Sequence, residues 1–190
     1  MTDTHTTFWT GREQDAAFSS PAACESRATR FERTIRRRNI LEYAAAALMI
    51  PCFAGLAGVA AWHAEWMFAG ASLACLAAIV FVVAKLMRDG ANLERKPEVS
   101  CRDHLRIQYK RQRDLLRSVP RWYLGPLGFG IASFFAVVVS KVAEERGIGP
   151  ALDGIWVPLG GTIIFFLFVG LINLWAARML DRQIQQLDSV

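Results

Sequence analysis

Four stretches of this chain, residues 40–61, 66–87, 122–142 and 155–177, each run for about 20 residues almost without charge, the length a helix needs to cross a hydrocarbon core. The first holds only Glu42, two residues from its start. The second holds only Lys85, near its end, where a four-carbon stem reaches the headgroups. The third ends beside Lys141, and the fourth carries no charge at all. Inside lipid every backbone polar group must be satisfied within its own segment, so these stretches are expected to be helices. A soluble helix core would show a polar face on each helix, and these segments have none. The expected fold class is therefore all-α: a polytopic membrane protein with four transmembrane helices and basic cytoplasmic or interfacial helices.

Composition supports this once charge is sorted by position. Hydrophobic residues make up 53% of the 190, yet the chain carries 22 Lys+Arg and a net charge of +5. Seven cations precede the first span, none lies in the connection of residues 63–65, and eleven lie in residues 85–121. Two occupy the connection between spans three and four, and two the C-terminal tail. The positive-inside rule then places both termini on the cytoplasmic side, with twenty cations inside and two outside. Trp62, Trp66, Trp122, Tyr123, Trp156 and Trp175 lie near span ends, as an aromatic belt requires.

The expected organisation is a disordered cytoplasmic tail (1–26), a basic helix with the first helical hairpin (27–88), a cytoplasmic loop (89–121), the second hairpin (122–178) and a short tail (179–190). The N-terminal tail lacks the basic start and apolar run of a secretory signal. Its one anomaly is Phe8-Trp9, readable as a short docking motif or as a tail touching the membrane surface. Residues 27–39 hold six Arg, among them Arg33, Arg36 and Arg37, and lead without a break into span one. Glu42 is expected to pair with Arg38 at i,i+4.

In the loop, residues 100–119 are helix-like. Cys101, Leu105, Tyr109, Gln112, Leu116 and Val119 share one face, with Gln112 the polar exception. Arg102, Arg106, Lys110, Arg113 and Arg117 form a cationic stripe beside it, and Pro120 is expected to end the helix. Such a helix suits an anionic leaflet, where each cation contributes roughly 1 kcal/mol. The same stripe also suits an acidic cytoplasmic protein. Nucleic acid is not expected, because orientation already accounts for the charge and no nucleic-acid-binding motif is present.

Within the spans, small residues recur every fourth position: Gly128, Ala132, Ala136 and Ser140; Gly70, Ala74 and Ala78; Ala54 and Gly58. These are expected to be seams for neighbouring helices of the same chain, with a homo-oligomer contact as the other reading. Pro51 and Pro126 should bend their helices, whereas Pro158 falls in the first turn of span four. Asn173, Thr162, Ser133 and Ser72 are the notable polar residues of the spans. No ionisable residue lies near a midplane, which argues against a coupled transporter or channel.

No cofactor, metal or enzyme chemistry is expected. Cys24 and Cys101 would face a reducing cytoplasm, where disulfides are uncommon. Cys52 and Cys75 lie roughly 18 Å deep in adjacent spans, where they could face each other, but two thiols alone do not complete a zinc site. The three histidines are scattered, and HExxH, GxSxG and Walker A motifs are missing.

The segment Gln108-Tyr109-Lys110-Arg111-Gln112-Arg113-Asp114-Leu115-Leu116-Arg117-Ser118-Val119, followed by Arg121-Trp122-Tyr123, resembles segments of small bacterial inner-membrane proteins, as does Arg36-Arg37-Arg38-Asn39 through Glu42-Tyr43. Some of those proteins are associated with genes for alternative sigma factors. The resemblance covers about a third of the chain and implies no activity. The role expected from the residues is an interaction or regulatory module; a small oligomeric transport or permeability protein is the alternative.

Overall fold

The computed structural model describes residues 21–94 and 98–188, so Phe8-Trp9 lies outside the described residues. Every element among them is helical: α1 (Pro21–Trp62), α2 (Trp66–Asp89), α3 (Cys101–Val119), a π-helical turn (Pro120–Leu124), α4 (Gly125–Arg146) and α5 (Ile148–Asp188). Four helical stretches are long and apolar enough to cross a membrane, as in a multi-pass membrane protein.

The helices run well past the apolar segments. At about 1.5 Å per residue, the 42 residues of α1 and the 41 of α5 each extend roughly 60 Å, about twice a hydrocarbon core. Helix α1 begins at Pro21, six residues ahead of the expected basic helix, so residues 21–26 are not an unstructured tail. Residues 179–188, expected as a tail, continue α5. Because α5 starts at Ile148, Pro158 lies inside the helix and not in its first turn. A single residue, Gly147, separates α4 from α5; its φ of 87° is a conformation that glycine adopts without strain.

The regular α-helix of α3 stops before Pro120, as expected, but the helical path does not. Lacking an N–H, Pro120 cannot continue the regular ladder, and the chain widens into the π turn, in which the Gly125 N–H donates to the Pro120 carbonyl. The helical path thus continues from α3 through the π turn into α4.

Packing follows the order α1, α2, α4, α5. Among the described residues α1 and α5 share no packed seam, so the four apolar helices pack side by side as an open arc. At the end where α1 starts and α5 finishes, α3 lies against α5 and the leading part of α1. There a second core forms from Ala28, Leu105, Tyr109, Leu116, Ala177, Leu180, Ile184 and Leu187, with Phe31 edge-on to Tyr109 at 4.6 Å between ring centres. Burying each large side chain of this group is worth about 1.5–3 kcal/mol, which is why three helix ends hold together outside the apolar segments.

The expected small-residue seams are mostly not the packed ones. Ala132, Ala136, Ser140, Gly70, Ala54 and Gly58 are exposed, Gly128 and Ala74 are half-buried, and Ala78 alone of those nine is buried. Close approach of α2 and α4 occurs at Gly130, where an added Cβ would stand 3.0 Å from the Cys75 Cα. On α2 the buried face is Ala71, Cys75, Ala78, Val82 and Leu86, the spacing of a helix packed along one side.

Candidate functional site

Where the apolar segments meet the terminal core, α1, α2 and α3 are joined by buried polar contacts. The last carbonyls of a helix have no partner within it, and those of α2 are met from both neighbours. Asn39 Nδ2 donates to the Gly90 carbonyl at 2.8 Å, and Gln112 Nε2 donates to the same oxygen at 3.5 Å. Arg111 donates to the Asp89 and Arg88 carbonyls at 3.2 and 2.9 Å, placing a cation at the negative end of the α2 dipole. Asp89 itself receives Lys85 at 2.5 Å and Arg88 at 3.2 Å, hydrogen bonds that hold its carboxyl below the usual carboxylate range.

At the same junction, Arg38 donates to Gln112 Oε1 at 3.2 Å and to Asn39 Oδ1 at 3.3 Å. Burial lowers its basicity and the nearby Glu42 charge opposes that shift, but its hydrogen bonds go to the two amides and not to Glu42 as expected. Glu42 instead accepts from the Tyr123 hydroxyl at 2.9 Å, and Trp122 Nε1 donates to the Leu115 carbonyl across the π turn at 3.2 Å. A second thread joins Gln108 to Asn92 at 3.0 Å and Asn92 to the Glu32 carbonyl at 3.2 Å.

Two hollows adjoin this junction. A small one of about 40 Å³ lies among Arg38, Glu42, Trp122, Tyr123 and Asn173, roomy enough for water. A larger one of about 320 Å³, almost wholly apolar, lies below Glu42 and Tyr123 and is lined by Met49, Phe53, Phe165 and Phe166 among others. It has contributions from all four apolar segments.

The cationic stripe of α3 is largely engaged by α5. Arg102 donates to the Leu187 carbonyl, Arg106 Nε stands 2.7 Å from Asp188, and Arg113 and Arg117 meet Asp181 at 3.2 and 2.6 Å. The apolar face of the same helix, Leu105, Tyr109, Leu116 and Val119 with Gln112, is covered by protein and is not laid on a lipid surface. Arg33, Arg36 and Arg37 point outward on α1, and Lys110 is half-buried. Replacing Asp181 with alanine is expected to cost about 1–2 kcal/mol, mostly through Arg113, because the half-exposed Arg117 is rehydrated. Faster tryptic cleavage after Arg182 in detergent checks this; an unchanged rate speaks against it.

The remaining expectations resolve locally. Ser133, Thr162 and Asn173 each donate to a carbonyl four residues back in their own helix, so none of these bonds crosses to another span. Ser72 is fully buried. Cys52 is exposed and Cys75 buried, both free, so they do not form a facing pair. Cys24 and Cys101, by contrast, are joined to each other. Among the described residues no three His, Cys, Asp or Glu side chains gather where a metal could be held. Sequence reasoning missed Asn39, Arg111 and Tyr123 as junction residues; the single signal was Gln112, an amide on an otherwise apolar face. Comparison with protein-family models, with curated proteins and with solved structures finds no match to this chain.

Proposed function

We propose that this chain is a non-enzymatic interaction or regulatory module of the bacterial inner membrane, with both termini and α3 in the cytoplasm. The observation that carries this reading is the second core: three helix ends leave the apolar segments and build a packed layer with its own buried side chains. A chain needing only to cross the bilayer has no use for that layer. Four of the five α3 cations serve it from within, so the partner-facing charge falls to Arg33, Arg36 and Arg37 and to Lys110. Arg36 and Arg37 stand three to four residues before the first span, at headgroup depth, where anionic lipid is their natural counterion. The same face is offered to a cytoplasmic protein partner.

The test is capture in mild detergent of the full chain against its Arg33→Gln/Arg36→Gln/Arg37→Gln variant. The expected result is a cytoplasmic protein enriched by the wild type, reduced severalfold in the variant, with both forms equally membrane-inserted. If the wild type enriches nothing over an unrelated four-span protein, the interaction reading fails. The open arc and its hollow support the alternative, a small oligomeric transport or permeability protein. That alternative requires solute flux in proteoliposomes and is rejected by a monomer that passes none.

A further inference from the structure

Cys24 and Cys101 are 77 positions apart in sequence, yet the fold brings their Cα atoms to 6.3 Å, inside the range that a disulfide spans. Helix packing sets this distance. Cys24 sits one turn ahead of Ala28, which is fully buried, and packs on the same core. Cys101 opens α3 directly after Ser100, whose side-chain oxygen accepts from the Asp103 N–H at 3.1 Å. The other two cysteines lie in the apolar segments and are free. The pair therefore joins the leading turns of α1 to the start of α3, at the rim of the second core.

We propose that Cys24 and Cys101 are a reversible redox modification site. A low-molecular-weight disulfide closes the bridge and clamps residues 21–27 onto α3, and excess small thiol opens it. The inference rests on the cytoplasmic orientation proposed above, since only there does the bridge meet a reducing pool. The Cys101 thiolate, at the positive end of the α3 dipole, attacks one sulfur of the small disulfide and expels a small thiolate. The Cys24 thiolate then attacks the Cys101 sulfur of the mixed disulfide and expels the second. The two cysteines lose two electrons and two protons, and the small disulfide accepts them to become two thiols. The reverse exchange returns both cysteines to thiols. The change falls on the leading turns of α1, so the oxidation state sets how firmly residues 21–27 are held against α3.

The experiment uses the full chain in inside-out membrane vesicles, treated with oxidised glutathione or with dithiothreitol, then alkylated and run without reductant. Brief trypsin treatment follows, and cleavage after the exposed Arg27 is read by mass spectrometry. In growing cells quenched with acid, most chains should carry free Cys24 and Cys101. Oxidised glutathione should link the two, dithiothreitol should separate them, and cleavage after Arg27 should be severalfold faster in the reduced form. Cys24→Ser and Cys101→Ser should each show the fast rate under both treatments. A bridge already complete in growing cells, one that never forms in vesicles, or one that toggles without changing cleavage overturns the proposal. Labelling of reduced Cys24 by an impermeant maleimide from outside intact spheroplasts refutes the orientation instead, whatever the two thiols do in vesicles.

Discussion

Gly130→Leu is expected to be the most damaging single change in the apolar part of the molecule. A Cβ at this position meets the Cys75 Cα at 3.0 Å and the Ala74 carbonyl and Cys75 nitrogen at 3.3 Å, all backbone atoms that cannot rotate away. Alanine can be admitted only if α2 and α4 separate by a few tenths of an ångström, and leucine only if the seam opens. Overpacking of this kind costs about 1–3 kcal/mol, and leucine belongs at or above the top of that range. In lipid the loss is not offset by a hydrophobic driving force between helices, because close contact is itself what holds them. The expected series is a small loss of thermal stability in detergent for Gly130→Ala and a large one for Gly130→Leu. Gly70→Ala should be neutral, since nothing lies within 4 Å of its added Cβ. Gly128→Ala meets only the end of the Phe166 ring at 3.4 Å, which can turn aside. Equal losses at Gly70 and Gly130 would show that α2 and α4 do not cross as described.

That contrast bears on what the sequence could tell. Four-residue spacing of small side chains is a necessary property of a close helix crossing, and it identified helices able to approach closely. It does not say which side approaches, because a helix studded with small residues offers several such faces. Gly130 lies off the Gly128 row, and the rows at Ala132, Ala136 and Ser140 remain uncovered. The four long apolar helices were legible for a stronger reason: an uncharged run of about 20 residues matches the thickness of a hydrocarbon core and little else. Helix ends were less so. Residues 21–26 and 179–188 read as tails because their composition is polar, yet they are held as helix by contacts made across the chain at Ala28, Ile184 and Leu187. The same non-local effect explains α3. Its amphipathic pattern was plain, but periodicity cannot distinguish an apolar face laid on lipid from one laid on other helices. The distinguishing residues were elsewhere in the sequence, in Asp181 and Asp188, carboxylates placed where the α3 cations need them.

Gln112→Leu is expected to loosen the junction between the apolar segments and the terminal core. The amide is 1% exposed and acts in both directions, accepting from Arg38 and donating weakly to Gly90. Leucine fits the apolar face on which Gln112 sits, so the change adds no steric problem and isolates the polar contribution. What remains is a part-buried guanidinium held only by the long bond to Asn39 and by the field of Glu42. A buried donor left without its acceptor costs about 1–3 kcal/mol, more when it is charged. Arg38→Met alone should cost less, because the Gln112 side chain can turn fully toward Gly90. If the pair is truly coupled, Arg38→Met with Gln112→Leu should be more stable than the sum of the single losses, since it replaces both partners with apolar groups. A double-mutant cycle of denaturant unfolding in detergent micelles gives the coupling directly. Strict additivity would mean that Arg38 and Gln112 lie close without holding one another, and the link between the apolar helices and the terminal core would then have to pass through Asn39 and Arg111 at the end of α2.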